Sequence, residues 1–260
     1  MTWLIAAAVF IFGLIVGSFL NVVIYRYQTG YTVLGRSGCL ICGAPLKWFE
    51  LVPVLSFLIQ FGRCRACQTK ISWQYPVVEL LTGLIFLGSF WRAGFFFSPL
   101  VIVDWVIFGL LIIITVYDWR HKIIPDHFVY AFIVIALLPS VWLGMAGPGA
   151  LVGLALGAFF WLLWLASRGR WLGLGDAKLA LGLGLFLGFP AALSAVTLAF
   201  WSGALVGLAL LGISVLSRTR KSYNMKSEVP FAPFLFLGAL LVYFFQIDVF
   251  TIFSSFSFWS

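Results

Sequence analysis

Residues 100–118 read Leu-Val-Ile-Val-Asp104-Trp-Val-Ile-Phe-Gly-Leu-Leu-Ile-Ile-Ile-Thr115-Val-Tyr-Asp118. Between its two aspartates this stretch carries no charge. It has no alternation of polar and apolar residues, so it is not the strand of a membrane barrel. A bilayer-crossing helix needs about 20 mostly apolar residues, and this stretch meets that requirement. The rest of the chain repeats it. Of 260 residues, 63% are hydrophobic and 9% charged. A soluble domain carries about 25% charged residues, and disorder needs low hydrophobicity. The composition excludes both and predicts an all-α polytopic membrane protein.

Outward from residues 100–117, further apolar runs cover 3–25, 77–97, 124–143, 149–167, 177–189, 191–216 and 231–252. The total is about eight transmembrane helices. The run at 177–189 is short, and a break near Gly188 and Pro190 leaves seven spans as the alternative. The first run lacks a basic start and is too long for a signal peptide, which predicts a retained helix. Gly-rich stretches near 153–157 and 182–188 suit close helix packing in a membrane. No internal repeat stands out.

The net charge of +8 follows topology rather than nucleic-acid binding. Fifteen of the sixteen Lys and Arg residues fall in segment 26–76, the turn near 120, segment 168–178 and segment 217–230. With eight spans these lie on one side, which the positive-inside rule makes cytoplasmic. Both termini then lie outside, in an inner (plasma) membrane. Three regions follow: 1–25 as the first transmembrane helix, 26–76 as a small cytoplasmic loop domain, and 77–260 as the helical membrane domain. The lipid bilayer is the first expected partner.

All four cysteines lie in the loop, as Cys39-Leu-Ile-Cys42-Gly43 and Cys64-Arg-Ala-Cys67. Two CxxC turns place four thiolates tetrahedrally around one Zn²⁺. A redox dithiol and free thiols are the competing readings. A cytoplasmic loop argues against structural disulfides. Four protein thiolates leave no open position, so the metal would be structural.

Acids within or beside spans are functional candidates. Asp118 ends the third span and Asp176 opens the sixth, both at cytoplasmic helix ends. Close carboxylates share a proton: one activates water, the other protonates the carbonyl or leaving group. The plainer readings are a helix cap for Asp176 and a pair with Arg120 or Lys122 for Asp118. Asp126 reads as an N-cap, Lys178 as a partner of Asp176 or an interface charge, and His121 and His127 as interface residues. A transporter or assembly protein with proton-carrying acids is the rival class, but such acids sit near the midplane.

The segment Gly17-Ser-Phe-Leu-Asn21-Val-Val-Ile-Tyr-Arg26 resembles the opening of type IV prepilin peptidases. The CxxC pairs, Glu50–Leu58 and Ile71–Glu79 resemble that family's loop. Asp118–Asp126 is similar to its first aspartate motif, Gly173–Lys178 to its GxGD motif, and Val229–Leu235 to the start of its last helix. Leu174 stands where the family often has glycine. The resemblance implies an aspartic endopeptidase, with Asp118 and Asp176 catalytic, that removes the basic leader of prepilins and pseudopilins. It also implies N-methylation of the new N-terminus from S-adenosylmethionine. Glu79, with Asn21 and Arg26, is the expected methyl-transfer region; the plainer reading of Glu79 is an interface acid paired with a loop arginine.

Overall fold

The structure, a computed structural model, describes residues 2–30, 32, 34–142, 146–216 and 230–250. Segment 217–229, with four of the basic residues used above, lies outside the described residues. The chain divides into two compact units, Met1–Ile113 and Ile114–Ser260.

The first unit is built on two antiparallel helices, α1 (Thr2–Arg26) and α3 (Gln74–Arg92). Their seam is set by small residues. A Cβ on Gly17 would lie 2.7 Å from the Cα of Glu79, and one on Gly13 would lie 2.8 Å from the Cα of Gly83. Lipid offers no hydrophobic drive to join helices, so close backbone packing has to supply it. Further along, Tyr25 stacks on Tyr75 at 5.0 Å. The first part of α4 (Pro99–His121) joins this unit through Trp105, whose ring stacks on Phe86 at 4.7 Å. Its indole N–H donates to the Phe86 carbonyl at 3.2 Å.

Between α1 and α3 lies the loop. It holds a 3₁₀ turn (Trp48–Leu51), the short helix α2 (Leu55–Ile59) and two turns that repeat each other. In the first, the Cys39 amide donates to Ala44 and the Gly43 amide to Cys39. In the second, Cys64 donates to Thr69 and Gln68 to Cys64. Each turn is flanked by an antiparallel bridge, Gly38 with Pro45 and Arg63 with Lys70. The residue after each second cysteine has positive φ, +71° at Gly43 and +57° at Gln68. This repeat is invisible as residue identity, because only the cysteines and a following tryptophan recur. Gly43 takes its conformation freely; Gln68 does so at a cost.

The second unit holds α5 (Asp126–Trp142), α6 (Ala146–Ser167), α7 (Leu174–Leu187), α8 (Ala191–Leu216) and α9 (Ala232–Phe245). Helix α7 packs against α5, α6, α8 and α9. Its glycines make this possible. A Cβ on Gly153 of α6 would meet the Leu181 carbonyl at 2.9 Å, and one on Gly182 would run into the ring of Phe132 on α5. The break expected near Gly188 is present: α7 ends there at φ +67°, and α8 starts at Ala191. Fourteen residues make α7 about 21 Å long, short of a hydrocarbon core of about 30 Å. Neighbouring helices surround it, so it need not match the bilayer.

The fold is therefore all-α and polytopic. Among the described residues four helices are long and apolar enough to cross a membrane, in α1, α4, α6 and α8; α5 and α9 are shorter and apolar.

The seam gives a prediction. Gly17→Val should push α1 off α3 and destabilise the protein by about 1–3 kcal/mol, the usual cost of overpacking. A lowered thermal midpoint in detergent, with insertion retained, is the expected result.

Candidate active site

Asp118 lies in the last turn of α4, and Asp176 in the first turn of α7. Both belong to the second unit, and both are buried, 5% and 7% exposed. They are near enough for the charge of Asp118 to act on Asp176. Each carboxylate is held by one backbone amide. The Ala232 N–H, at the start of α9, donates to Asp118 Oδ2 at 3.3 Å. The Gly173 N–H donates to Asp176 Oδ2 at 2.9 Å. The second contact is the carboxylate half of a capping box, so Asp176 does cap α7. Capping uses Oδ2 and leaves Oδ1 available. Neither aspartate is a solvated surface charge; a buried carboxylate is costly unless amides, partners or a shared proton offset the loss of water.

Three neighbours position the pair. Gly175 lies so close to Ile124 that a Cβ there would meet the Ile124 Cβ at 2.7 Å. Gly173, by contrast, has φ −77°, which any residue adopts. Lys178 pairs not with Asp176 but with Asp126, at 2.6 Å, and lies over the Tyr130 ring at 4.7 Å. It therefore ties the first turn of α5 to the second turn of α7. The α9 terminus is the component that sequence reading missed as part of the site. Its signal was Phe231-Ala-Pro233: proline near a helix start marks amides that lack helical partners. His121 packs on Tyr117, with ring centroids 4.4 Å apart. Among the described residues no histidine joins a metal-capable group.

In the first unit, Glu79 is buried and accepts a 2.8 Å hydrogen bond from the Val54 amide and another from Ser18. Asn21 is also buried. Its amide donates to the carbonyls of Gly17 and Tyr75 at 3.3 and 3.2 Å, and its oxygen accepts from Gln74. Glu79 and Asn21 thus share one seam. Arg26 instead organises the loop, donating to the carbonyls of Thr32, Gly35 and Arg36 at 2.7–3.0 Å. Val54 itself has φ +61°, a region that β-branched residues avoid. That strain sits where the loop meets Glu79.

The four cysteine sulfurs lie within 4.8 Å of one another, and Cys39 and Cys67 are 3.8 Å apart. A tetrahedron with metal–sulfur bonds of ~2.3 Å has edges of about 3.8 Å. The cluster fits one ion. Thr69, through its hydroxyl 3.3 Å from the sulfur and its amide, pulls the Cys67 thiol down to about 6, so a thiolate is present at neutral pH. Cys42 is pushed up to about 11 by Cys67 and Cys39, against the pull of the Ala44 amide.

Residues 11–93 match the bacterial peptidase A24 N-terminal domain, and residues 105–208, which include both aspartates, match the type IV leader peptidase family. A protein of Aeromonas hydrophila named prepilin leader peptidase/N-methyltransferase is 31% identical over 90% of this chain and 89% of its own length. The chain belongs to the type IV leader peptidase family. Relatives with the same name in Pseudomonas putida and Myxococcus xanthus are 32% and 37% identical. The first aligns over 86% of this chain and 85% of its own length; the second over 80% of this chain and 64% of its own length. No solved structure matches the chain significantly.

In this leader peptidase the metal cluster and the α5–α7 tie can be tested separately. Metal analysis of purified protein should give one ion per chain, and Cys42→Ser should lower that ratio while the helical content stays intact, because the sulfur–metal bonds staple only the loop. Lys178→Met should reduce peptidase activity severalfold and leave the metal content unchanged.

Proposed function

We propose that the chain removes the leader peptide of prepilins and pseudopilins with the pair Asp118 and Asp176, and then N-methylates the freed terminus. The observation that carries this reading is the pair itself: two buried carboxylates in electrostatic contact, each held by one amide, in the part of the chain that matches the leader peptidase family. The membrane helices and the family support an inner-membrane enzyme. The distribution of basic residues supports both termini outside, eight crossings and a site at the cytoplasmic face.

The chemistry follows from the pair. One carboxylate is ionised and takes a proton from water. The other is protonated and donates to the peptide carbonyl, and later a proton passes to the leaving amine. Each carboxylate lies at a helix start and takes one amide, Ala232 for Asp118 and Gly173 for Asp176, so both amides stabilise negative charge and the pair holds one proton between two equivalent positions. Placement at helix ends lets a substrate keep its apolar segment in lipid while its basic leader meets the acids.

The cysteine set Cys39, Cys42, Cys64 and Cys67 suits Zn²⁺ by donor type and spacing. All four positions are protein ligands, so the ion would shape the loop and take no part in hydrolysis. S-adenosylmethionine supplies the methyl group when bound. Glu79 would hold the new α-amine or accept its proton before methyl transfer; it is buried on the seam that Asn21 shares. Arg26 would act indirectly, by ordering residues 32–36.

Two outcomes are expected when purified protein is incubated with a prepilin and S-adenosylmethionine and read by mass spectrometry. Asp118→Asn or Asp176→Asn, nearly isosteric but unable to shuttle a proton, should lower cleavage by about 10²–10⁴-fold; near-normal cleavage by either would refute the assignment. Glu79→Gln should retain leader removal and lose the added methyl. Parallel loss of both activities would make Glu79 an anchor for Val54 instead.

A further inference from the structure

The loop between α1 and α3 carries apolar side chains with no aqueous role. Leu55, Leu58 and Ile59 share the exposed face of α2 at helical spacing, and Phe61 follows at 90% exposure. Phe57, on the opposite face of α2, is buried. A patch of this kind marks a docking surface.

Three observations decide what it docks on. The first is depth. The start of α2 is tied to α3 by the Val54–Glu79 hydrogen bond. Glu79 lies five residues into α3, about 7.5 Å along it at 1.5 Å per residue. The helix α2 therefore sits beside the second turn of α3, not above its end. The second is continuity. Trp73, Val77, Leu80 and Leu84 are exposed at spacings of four, three and four, a stripe down one face of α3. Trp73 heads that stripe, and its ring packs on Phe57 of α2 at 4.9 Å. Helix α2 thus adjoins the head of that stripe through its buried Phe57. The third is charge. Arg63 and Lys70 are exposed and opposed across an antiparallel bridge, immediately after the patch. Aromatic and apolar residues flanked by Lys and Arg are the composition of a membrane interface.

We infer that Leu55, Leu58, Ile59 and Phe61 lie in the headgroup layer of the bilayer that α1 crosses, with Arg63 and Lys70 directed at anionic lipid phosphates. The cysteine lobe is then a membrane-seated element rather than a freely solvated domain. This inference does not depend on either proposed catalytic site. It explains why α2 is apolar on its exposed face. It also gives the loop a second attachment besides Glu79, and so limits how far the cysteine turns swing from the membrane.

The test uses the full chain in nanodiscs of phosphatidylcholine and phosphatidylglycerol whose acyl chains are brominated close to the headgroup. Phe61→Trp adds one reporter, and subtraction of the wild-type spectrum isolates its emission. The added emission should be quenched severalfold more by bromolipid than by aqueous iodide, with no prepilin present. Adding Arg63→Gln and Lys70→Gln should shift the balance toward iodide, because the anionic attraction is lost. Strong iodide quenching with none from bromolipid would overturn the inference. So would protection that appears only when a prepilin is added, which would make the patch a substrate-binding surface. Retained metal content in each variant certifies the fold; if Phe61→Trp loses metal, Leu58→Trp replaces it as the reporter.

Discussion

Two buried carboxylates, near enough for the charge of one to act on the other, are the constraint on which the second unit depends. Burial removes most of their solvation, and the backbone supplies one amide to each, from Ala232 and Gly173. Both amides belong to helix starts, where N–H groups lack helical partners. The site therefore requires α7 to begin, and α9 to begin, at the level where α4 ends. A short α7 follows from this, since it starts at the site and ends at Gly188. Its glycines follow too: Gly175 admits Ile124, Gly182 admits Phe132, and the α6–α7 contact at Gly153 closes the packing. A helix without these glycines would stand farther from its neighbours and carry Asp176 away from Asp118.

The first unit solves a different problem with the same devices. Gly13 and Gly17 bring α1 against α3, which leaves Asn21 and Glu79 buried on one seam. Both are satisfied by backbone groups, and Glu79 draws the loop onto the helix pair through Val54. The cysteine turns then hang from a segment fixed at both ends. Their repeated hydrogen-bond pattern gives the four sulfurs near-tetrahedral spacing before any ion is considered. A loop of about 50 residues has too little apolar interior to hold itself, and a metal staple with attachment to the helices makes up the difference.

The placement of the acids also decides between enzyme and transporter. A proton-carrying acid belongs near the bilayer midplane on a path through the protein. Asp118 and Asp176 sit instead at helix ends, and the family match covers both. Glu79 likewise lies within the early turns of α3 rather than at its middle. Acids at such positions meet a polypeptide presented at the membrane edge more readily than an ion crossing it.

The sequence by itself determined the elements and the chemistry they carry. Long uncharged runs specify helices in a membrane, because no other structure satisfies their backbone there. Two CxxC turns specify a four-sulfur cluster, and GxGD with the aspartate after Tyr117 specifies the acids. Partners far apart in the chain were decided only by tertiary structure. Lys178 meets Asp126, 52 positions away, rather than Asp176, two positions away. Asp118 meets the Ala232 amide across 114 positions, rather than Arg120 or Lys122 on its own turn being the partner that sets its burial. Glu79 meets a loop amide instead of a loop arginine. Pattern and composition report what each segment does locally. Which buried polar group completes another depends on how glycine-lined helices close on one another, and that distance is a property of the packed bundle.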